Sequence, residues 1–310
     1  MDGLLIVDKP AGITSHDVVN QVRHIVGTRR VGHTGTLDPF ATGVLVVLVG
    51  RATRLSQFLT GLDKEYEAII RLGYATDTGD ITGKRLDDSA AAVPRPTHDD
   101  IEVAMQSLRG DIEQVPPMYS AKKQGGRKLY ELARAGKEVE RKPLRVCIYT
   151  FEPLKSGEEL IKDNLDGTYD LEARVRCSSG TYIRTLAEDF GKQLNIGAHL
   201  AELRRTRVGE FHIDEARPLD RIKMNIAEEA AGRILLPMDH AVSQLPAVDL
   251  APDDVARISH GLNVRPTDST FSPGGPVRLR DTEGNLLAIA EFDTADQSLH
   301  PKVVFAASEQ

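Results

Sequence analysis

The stretch Arg30–Arg54 reads RVGHTGTLDPFATGVLVVLVGRATR and determines how the chain around it folds. Its first half is rich in glycine, which permits tight turns, and the Asp38-Pro39 pair restricts the backbone to extended or turn conformations. Its second half contains Val44–Val49, an apolar run typical of a strand buried on both faces. The sequence therefore predicts a rigid loop that presents Asp38 at the mouth of a strand, a good position for chemistry. Asp-Pro pairs more often only shape a turn, so these residues alone leave a structural role for Asp38 open.

Hydrophobic periodicity on both sides of this stretch predicts a mixture of helices and strands. Upstream, Leu4–Val7 is apolar, and Thr14 or Ser15 can cap a following helix. The elements predicted downstream are a half-buried strand Lys64–Leu72, a helix from Thr97 to Gly110, a short helix Arg127–Ala135, strands Leu144–Phe151 and Tyr169–Cys177, and a helix Thr181–Leu194. These elements lack a regular βαβ rhythm, so we expect an α+β fold on a mostly antiparallel sheet.

The composition changes near Leu245. From Val248 onward the chain contains short apolar segments, including Leu286–Phe292 and Lys302–Phe305, separated by turns rich in Gly, Pro and Asp. This pattern predicts a small all-β module. We therefore expect two domains, residues 1–240 and 245–310.

The overall composition is that of a globular chain of 310 residues with a net charge of −7. The apolar run Gly43–Gly50 is too short to span a bilayer, and the N-terminus shows no secretory signal. Cys147 and Cys177 form neither a disulfide framework nor a metal-binding spacing. We expect a cytoplasmic protein without metal.

Basic residues are concentrated between Tyr119 and Arg145, where nine Lys and Arg face three Glu. A basic segment on an acidic protein indicates a polyanionic partner held at one place. Charge alone is equally consistent with a solvated surface loop.

The Arg30–Arg54 stretch resembles the active-site motif of the TruB-type pseudouridine synthases, which modify uridine 55 of tRNA. Further segments resemble the family's other motifs and follow in the family's order over roughly the first 215 residues. They are GLLIVDKPAGITSHDVV at 3–19, Lys64-Glu65-Tyr66, GYATDTGDITG at 73–83, VPPMYSAK at 115–122, SGTYIRT at 179–185 and GAHLAELRR at 197–205. The resemblance implies the family's catalytic fold, a mostly antiparallel mixed sheet flanked by helices. A PUA-like RNA-binding domain commonly follows that fold, and the C-terminal module resembles it by position and strand pattern.

The resemblance implies three catalytic residues. Asp38 is the catalytic carboxylate in a reaction that breaks the N-glycosidic bond of uridine, turns the base and rejoins it through C5. Arg184 pairs with Asp38 and keeps it ionised, because a guanidinium opposes the effect of burial on a carboxyl pKa. Tyr66 stacks on the base and can relay the C5 proton. Attack at C6, attack at C1′ and a glycal route all remain open.

The resemblance also implies a set of substrate-binding residues. Four of them are His33, Tyr182, Leu203 and Lys9, with Lys9 in a supporting role and with Tyr182 and Leu203 on or beside apolar helix faces. The target base must flip out of the T-loop to react. The basic segment, about 119–145, is then the RNA-gripping insertion, in which Lys122, Lys123, Arg127 and Lys128 contact the RNA backbone.

Three other functions compete with a stand-alone, monomeric tRNA enzyme. A relative of the same family could act on ribosomal RNA guided by other RNA and proteins, but long basic tails are missing. An RNA-binding protein without catalysis would not need Asp38, Tyr66 and Arg184. An aspartate-based hydrolase would need a second carboxylate or a metal cluster beside Asp38. The sequence contains no phosphate-binding Gly-rich loop, and we expect no cofactor.

Overall fold

The structure is a computed structural model that describes residues 1–305 apart from 87–93, 121, 125, 130, 131, 133–138, 229–233 and 267–270. The strands are β1 Gly3–Lys9, β2 Val31–His33, β3 Thr42–Val49, β4 Lys64–Leu72, β5 Gly110–Gln114, β6 Lys123–Gln124, β7 Arg127–Lys128, β8 Leu144–Pro153, β9 Lys162–Asp163, β10 Tyr169–Cys177, β11 Ala198–Val208, β12 Phe211–His212, β13 Arg217–Pro218, β14 Ala247–Asp249, β15 Pro276–Arg280, β16 Leu286–Asp293 and β17 Ser298–Val304. The α-helices with described bounds are α1 Ser15–Val26, α2 Ser56–Leu59, α3 His98–Ser107, α4 Ile183–Gln193, α5 Leu219–Glu228, α6 Met238–Ala241 and α7 Pro252–Ser259.

One large mixed sheet organises the chain. Its main path runs β13-β1-β3-β11-β4-β10-β8-β5, with β2, β9 and β12 paired to its sides. Two neighbouring pairs are parallel, β1 with β13 and β3 with β11, and the other pairs are antiparallel. The predicted α+β fold with a mostly antiparallel sheet is therefore confirmed. No helix within the described ranges is both long and apolar enough to cross a membrane.

Local sequence signals account for several element boundaries. Thr14 caps α1 in a capping box with Asp17, and Gly27 ends that helix in the left-handed region at φ 68°. Thr97 and Asp100 form the same box at the start of α3. The strand predicted at Lys64–Leu72 has those bounds, with alternate residues buried.

Two predictions need correction. Arg127 and Lys128, which we expected in a helix, pair with β6 in a two-stranded hairpin. Leu129 and Leu132 are helical. Residues 130, 131 and 133–135 of the predicted helix lie outside the described residues. The C-terminal module is not purely β, because α7 packs against its sheet β14-β15-β16-β17. The apolar side chains Val255 and Ile258 bury one face of that helix, a periodicity that the sequence analysis did not use.

Strand β3 contributes side chains to two hydrophobic clusters, one on each of its faces. Alternate side chains Val44, Val46 and Leu48 pack toward the second sheet, in one cluster with Ile289 and Phe305. The intervening side chains of the strand pack against α1 and α5. The strand is thus buried on both faces, as predicted. The loop that precedes it, 34–41, is consequently attached to a strand that is closely packed on both faces.

Candidate active site

A cavity of about 250 Å³ lies where the Asp38 loop, β4, β11 and the start of α4 meet. Six residues expected at the site line it: Asp38, Tyr66, Lys122, Tyr182, Arg184 and Leu203. These residues come from distant parts of the chain, and the central strands β4 and β11 bring them together.

Asp38 and Arg184 form a two-point ion pair in this cavity. Arg184 Nε lies 2.9 Å from Asp38 Oδ2, and Arg184 Nη2 donates a hydrogen bond to Asp38 Oδ1 at 3.1 Å. The Arg184 side chain is 5% exposed, whereas that of Asp38 is 33% exposed. The carboxylate therefore remains open to the cavity while the guanidinium behind it is shielded from solvent.

The same guanidinium makes three further contacts that the sequence analysis did not foresee. Its Nη1 lies 3.5 Å from Asp80 Oδ2 and donates to the Thr78 carbonyl at 2.9 Å. Its Nη2 also donates to the Tyr119 carbonyl at 2.7 Å. Arg184 thus joins the Asp38 loop, the 76–83 turn and the start of the basic segment.

Asp80 is nearly inaccessible and well satisfied. Its Oδ1 accepts hydrogen bonds from the hydroxyls of Thr78 and Thr82 and from the Thr82 amide. Asp80 belongs to the motif GYATDTGDITG, so the motif indicated its position, whereas its contact with Arg184 depends on the tertiary fold.

Burial raises the pKa of Asp38, and the Arg184 guanidinium acts against that effect. The Asp80 carboxylate raises the pKa of Asp38 further. Asp38 is therefore balanced between one arginine and one neighbouring acid, an arrangement typical of functional sites.

The backbone of the Asp38 loop is anchored from the N-terminal motif. Lys9 is fully buried, and its Nζ donates to the carbonyls of Pro10, Ile13 and Pro39 at 2.8, 2.8 and 3.3 Å. Ser15 Oγ both donates to the Leu37 carbonyl and accepts from the Leu37 amide. Lys9 therefore contacts the loop, and it does not line the cavity.

Tyr66 and Leu203 form the sheet side of the cavity. Both are largely buried, at 8% and 6% exposure, on neighbouring strands β4 and β11. Leu203 therefore lies on a strand, which corrects the expected helix. Burial raises the pKa of the Tyr66 hydroxyl, and the nearby positive charge of Arg205 has the opposite effect.

Tyr182 precedes the first residue of α4 and borders the cavity. Gln114, itself buried, binds the backbone of Tyr182 at both groups: its Oε1 accepts from the Tyr182 amide at 3.0 Å and its Nε2 donates to the carbonyl at 3.3 Å. The position of this ring is thus set by a buried amide on β5.

His33 lies at the end of β2, and the cavity lining does not include it. Its Nδ1 accepts a hydrogen bond from the Gly35 amide at 3.3 Å. This hydrogen bond joins His33 to the loop at a position three residues before Asp38.

The basic segment begins at the cavity. Lys122 borders it, and the Lys122 carbonyl accepts from the Leu129 amide, which closes the β6–β7 hairpin. The backbones of Lys123, Arg127 and Lys128 form that hairpin. All four basic residues expected to contact RNA therefore lie on or next to one short hairpin.

A possible metal-binding group lies elsewhere. Among the described residues, Asp293, Asp296 and His300 place three potential ligand atoms within 4.8 Å of one another on the second sheet. They do not line the cavity. The expectation that the reaction needs neither metal nor cofactor stays a prediction.

Comparison with known proteins identifies the family. The model described as TruB family pseudouridylate synthase (N terminal domain) matches residues 23–183, and the model described as tRNA pseudouridylate synthase B C-terminal domain matches residues 184–243. The tRNA pseudouridine synthase B of Thermobifida fusca (strain YX) is 46% identical over 312 residues, with 99% of each chain covered. That of Geobacillus thermodenitrificans (strain NG80-2) is 41% identical over 290 residues, covering 93% of this chain and 94% of the relative.

Among solved structures, a Cbf5-Nop10-Gar1 complex contains a chain with a TM-score of 0.71 and 28% identity, covering 99% of this chain and 84% of that one. An H/ACA RNP bound to a substrate RNA containing 2′-deoxyuridine gives a TM-score of 0.71 at 27% identity, with 98% and 85% covered. Because the first family model spans 23–183 and such relatives extend along the whole chain, this protein belongs to the TruB family of pseudouridylate synthases.

Proposed function

We propose that this protein converts uridine 55 in the T-loop of tRNA to pseudouridine, with Asp38 as the catalytic carboxylate. The observation that carries the proposal is the two-point ion pair between Asp38 and the buried Arg184 at the cavity. A single carboxylate held ionised next to ribose and base serves each of the three open routes. The reaction is an isomerisation: the C1′–N1 bond breaks, a C1′–C5 bond forms, the C5 proton leaves and N1 gains a proton.

The cavity supplies a place for a flipped base. Tyr66 offers a ring on which uracil can stack, and Leu203 and Tyr182 close the apolar side. Stacking of this kind offsets part of the few kcal/mol that unstacking a base costs. We assign Tyr66 the relay of the C5 proton and Arg184 the task of keeping Asp38 ionised.

We assign the binding of the RNA substrate to the basic hairpin. Lys122 lines the cavity, and the backbones of Lys123, Arg127 and Lys128 form the hairpin that follows it along the chain. Contacts to phosphates position an RNA without reading its sequence. We assign residues 245–310 to a PUA-like RNA-binding domain and 1–240 to catalysis. The protein acts as a monomer in the cytoplasm.

Lys9, expected in a supporting role, donates to the Pro39 carbonyl beside Asp38 as well as to the carbonyls of Pro10 and Ile13. His33, expected to bind the substrate, accepts a hydrogen bond from the Gly35 amide in the same loop. We assign both to support of the loop.

A guided enzyme acting on ribosomal RNA is the main competitor, because a chain of the H/ACA RNP bound to a substrate RNA shares this fold. The tRNA enzymes of Thermobifida and Geobacillus are more similar in sequence, at 46% and 41% identity against 27%. This difference favours tRNA.

The test is release of tritium from C5 of uridine in an unmodified tRNA transcript, without added metal or cofactor. Wild type should release it from one T-loop uridine, and Asp38→Asn should not. Asp170→Asn is the matched control, since it removes an acid from another two-point arginine pair, Arg71–Asp170, that does not border the cavity. Release by Asp38→Asn at the wild-type rate would remove Asp38 from its role, and tight binding without release by wild type would indicate another RNA.

A further inference from the structure

Arg205 is a buried cation at the cavity for which the described residues offer no acidic partner. The residue is 2% exposed, and no carboxylate in the described part of the chain lies within ion-pairing distance of it. Its neighbours on β11 behave differently: Arg204 pairs with Asp8 and Arg207 with Glu65. Burial of an uncompensated charge is costly, so the contacts of Arg205 require an explanation.

Those contacts go to both flanks of the Asp38 loop. Arg205 Nε donates to the Val44 carbonyl at 2.7 Å, and Nη2 donates to the Gly35 carbonyl at 3.0 Å. Gly35 precedes Asp38 by three residues, and Val44 belongs to the strand that follows the loop. One planar guanidinium therefore fixes the distance between the two ends of the loop, which a flexible ammonium group could not do.

The backbone of Arg205 is held equally closely. It pairs with Gly43 on β3 and with Tyr66 on β4. A Cβ atom at Gly43, where φ is +102°, would lie 2.2 Å from the Arg205 carbonyl oxygen, so only glycine permits this approach. Arg205 thus stands between the strand that follows Asp38 and the strand that carries Tyr66.

The side chain also reaches the reacting region. Arg205 lines the same cavity as Asp38 and Tyr66. Its positive charge acts against the effect of burial on the Tyr66 hydroxyl. Two further buried cations, Lys9 and Lys64, are close enough for Arg205 to lower their pKa values. The guanidinium of Arg205 therefore lies at the cavity in the neighbourhood of two other buried cations.

We propose that Arg205 is a positioning residue that sets the Asp38 loop and the Tyr66 side chain in register for the isomerisation. Arg184 orients the Asp38 carboxylate itself, and Arg205 fixes the backbone from which that carboxylate projects. This inference rests on the proposed function, since it assumes that Asp38 and Tyr66 act on a bound uridine.

The test separates chemistry from binding. Single-turnover rates at saturating enzyme and dissociation constants for the RNA are measured for Arg205→Lys, which keeps the charge but not the two-pronged donor, and for Arg205→Gln, which keeps a donor without the charge. Arg204→Lys is the control on the adjacent residue. All assays run below the lowest unfolding temperature of the set, so that every variant is folded. Wild-type turnover on tRNA tests the proposed function by itself, and the variants are compared on whichever RNA the wild type modifies.

We expect the single-turnover rate of Arg205→Lys to fall about 100-fold, the effect of a displacement near 1 Å, with RNA affinity within about threefold of wild type. The single-turnover rate of Arg205→Gln should fall at least as far. Its pH–rate profile should change shape, because Tyr66 loses the neighbouring charge. Arg204→Lys should keep both rate and affinity. The proposal is overturned if either Arg205 variant turns over at the wild-type rate, or if the whole loss lies in RNA affinity.

Discussion

Arg184 Nη1 lies 3.5 Å from the Asp80 carboxylate, while the Nε and Nη2 edge of the same guanidinium binds Asp38. Two acids therefore share one buried arginine. In this arrangement Asp80 raises the pKa of Asp38, whereas Arg184 lowers it. A change at Asp80 should thus be visible in the pH dependence of a reaction that depends on Asp38.

Asp80→Asn should move the acidic limb of the pH–rate profile to lower pH. The rate requires ionised Asp38, so it falls as the pH drops through the Asp38 pKa, and removal of a neighbouring negative charge lowers that pKa. The maximal rate should also drop by at least about tenfold, because Arg184 loses an anchor. Single-turnover rates across pH measure both effects. Asp77→Asn, in the same turn and without contact to Arg184, is the control. The prediction is contradicted if the acidic limb of the Asp80→Asn profile stays in place or moves to higher pH.

Arg184→Gln should destabilise the fold by about 3 kcal/mol at neutral pH, because it leaves the buried Asp80 carboxylate and the partly exposed Asp38 carboxylate without their shared cation. Burial raises the pKa of Asp38, and without the guanidinium nothing comparable opposes it. Such an acid destabilises the folded state above its unfolded pKa, and protonation at lower pH relieves the cost. The loss in free energy of unfolding caused by Arg184→Gln should therefore become smaller as the pH falls. Urea unfolding at several pH values measures this loss of stability. Lys155→Gln, which breaks an exposed pair with Glu172, should leave the free energy of unfolding nearly unchanged.

The sequence predicted four of the longer strands of the large sheet, β3, β4, β8 and β10, and of these β4 and β10 alternate regularly between buried and exposed residues. It did not predict β11, the strand between β3 and β4. The pairing of β11 shifts between Leu200 and Glu202 and again between Arg205 and Arg207, which interrupts the alternation. Buried His199 and Arg205 also make the strand look polar.

The sequence predicted those site residues that lie in local motifs. Asp38, Tyr66 and Arg184 each lie in a motif, and they line one cavity. The contacts of Lys9, Asp80 and Arg205 depend on which distant carbonyls or charges the fold brings near. No local pattern indicates such contacts, so these roles became visible only in three dimensions.

Lys9→Met should slow catalysis while leaving tRNA affinity unchanged, because the Pro39 carbonyl beside Asp38, together with those of Pro10 and Ile13, loses its donor. The lost hydrogen bonds should cost about 2 kcal/mol of stability. Single-turnover kinetics and filter binding separate the two quantities. Lys155→Met, at an exposed position, should change neither; a Lys9 variant with weakened RNA binding and a normal rate would return Lys9 to substrate contact.

Lys9 also predicts a pH dependence of stability. Burial lowers its pKa from 10.5 to about 8, so between these values the unfolded chain holds a proton that the folded chain has lost. The free energy of unfolding should therefore rise with pH in this window. Lys64, with a pKa also lowered to about 8, adds a second contribution. Urea unfolding from pH 7 to 10 should show a smaller rise in Lys9→Met than in wild type, and an equal rise in both would refute the assignment to Lys9.

Replacement of Lys123, Arg127 and Lys128 by Gln should weaken tRNA binding and reduce its salt dependence. Each lost phosphate contact removes about 0.7 to 0.9 from the slope of log affinity against log salt, so three contacts remove about 2 to 3. The control changes Lys155, Arg174 and Lys192 to Gln, which alters the net charge equally at exposed positions outside the cavity. A slope that falls equally in both triple variants would mean that net charge, and not the hairpin, governs binding. If the salt slope falls only in the hairpin variant, and that variant keeps its single-turnover rate at saturating enzyme, then the β6–β7 hairpin binds the RNA backbone. The chemical step would then belong to the cavity.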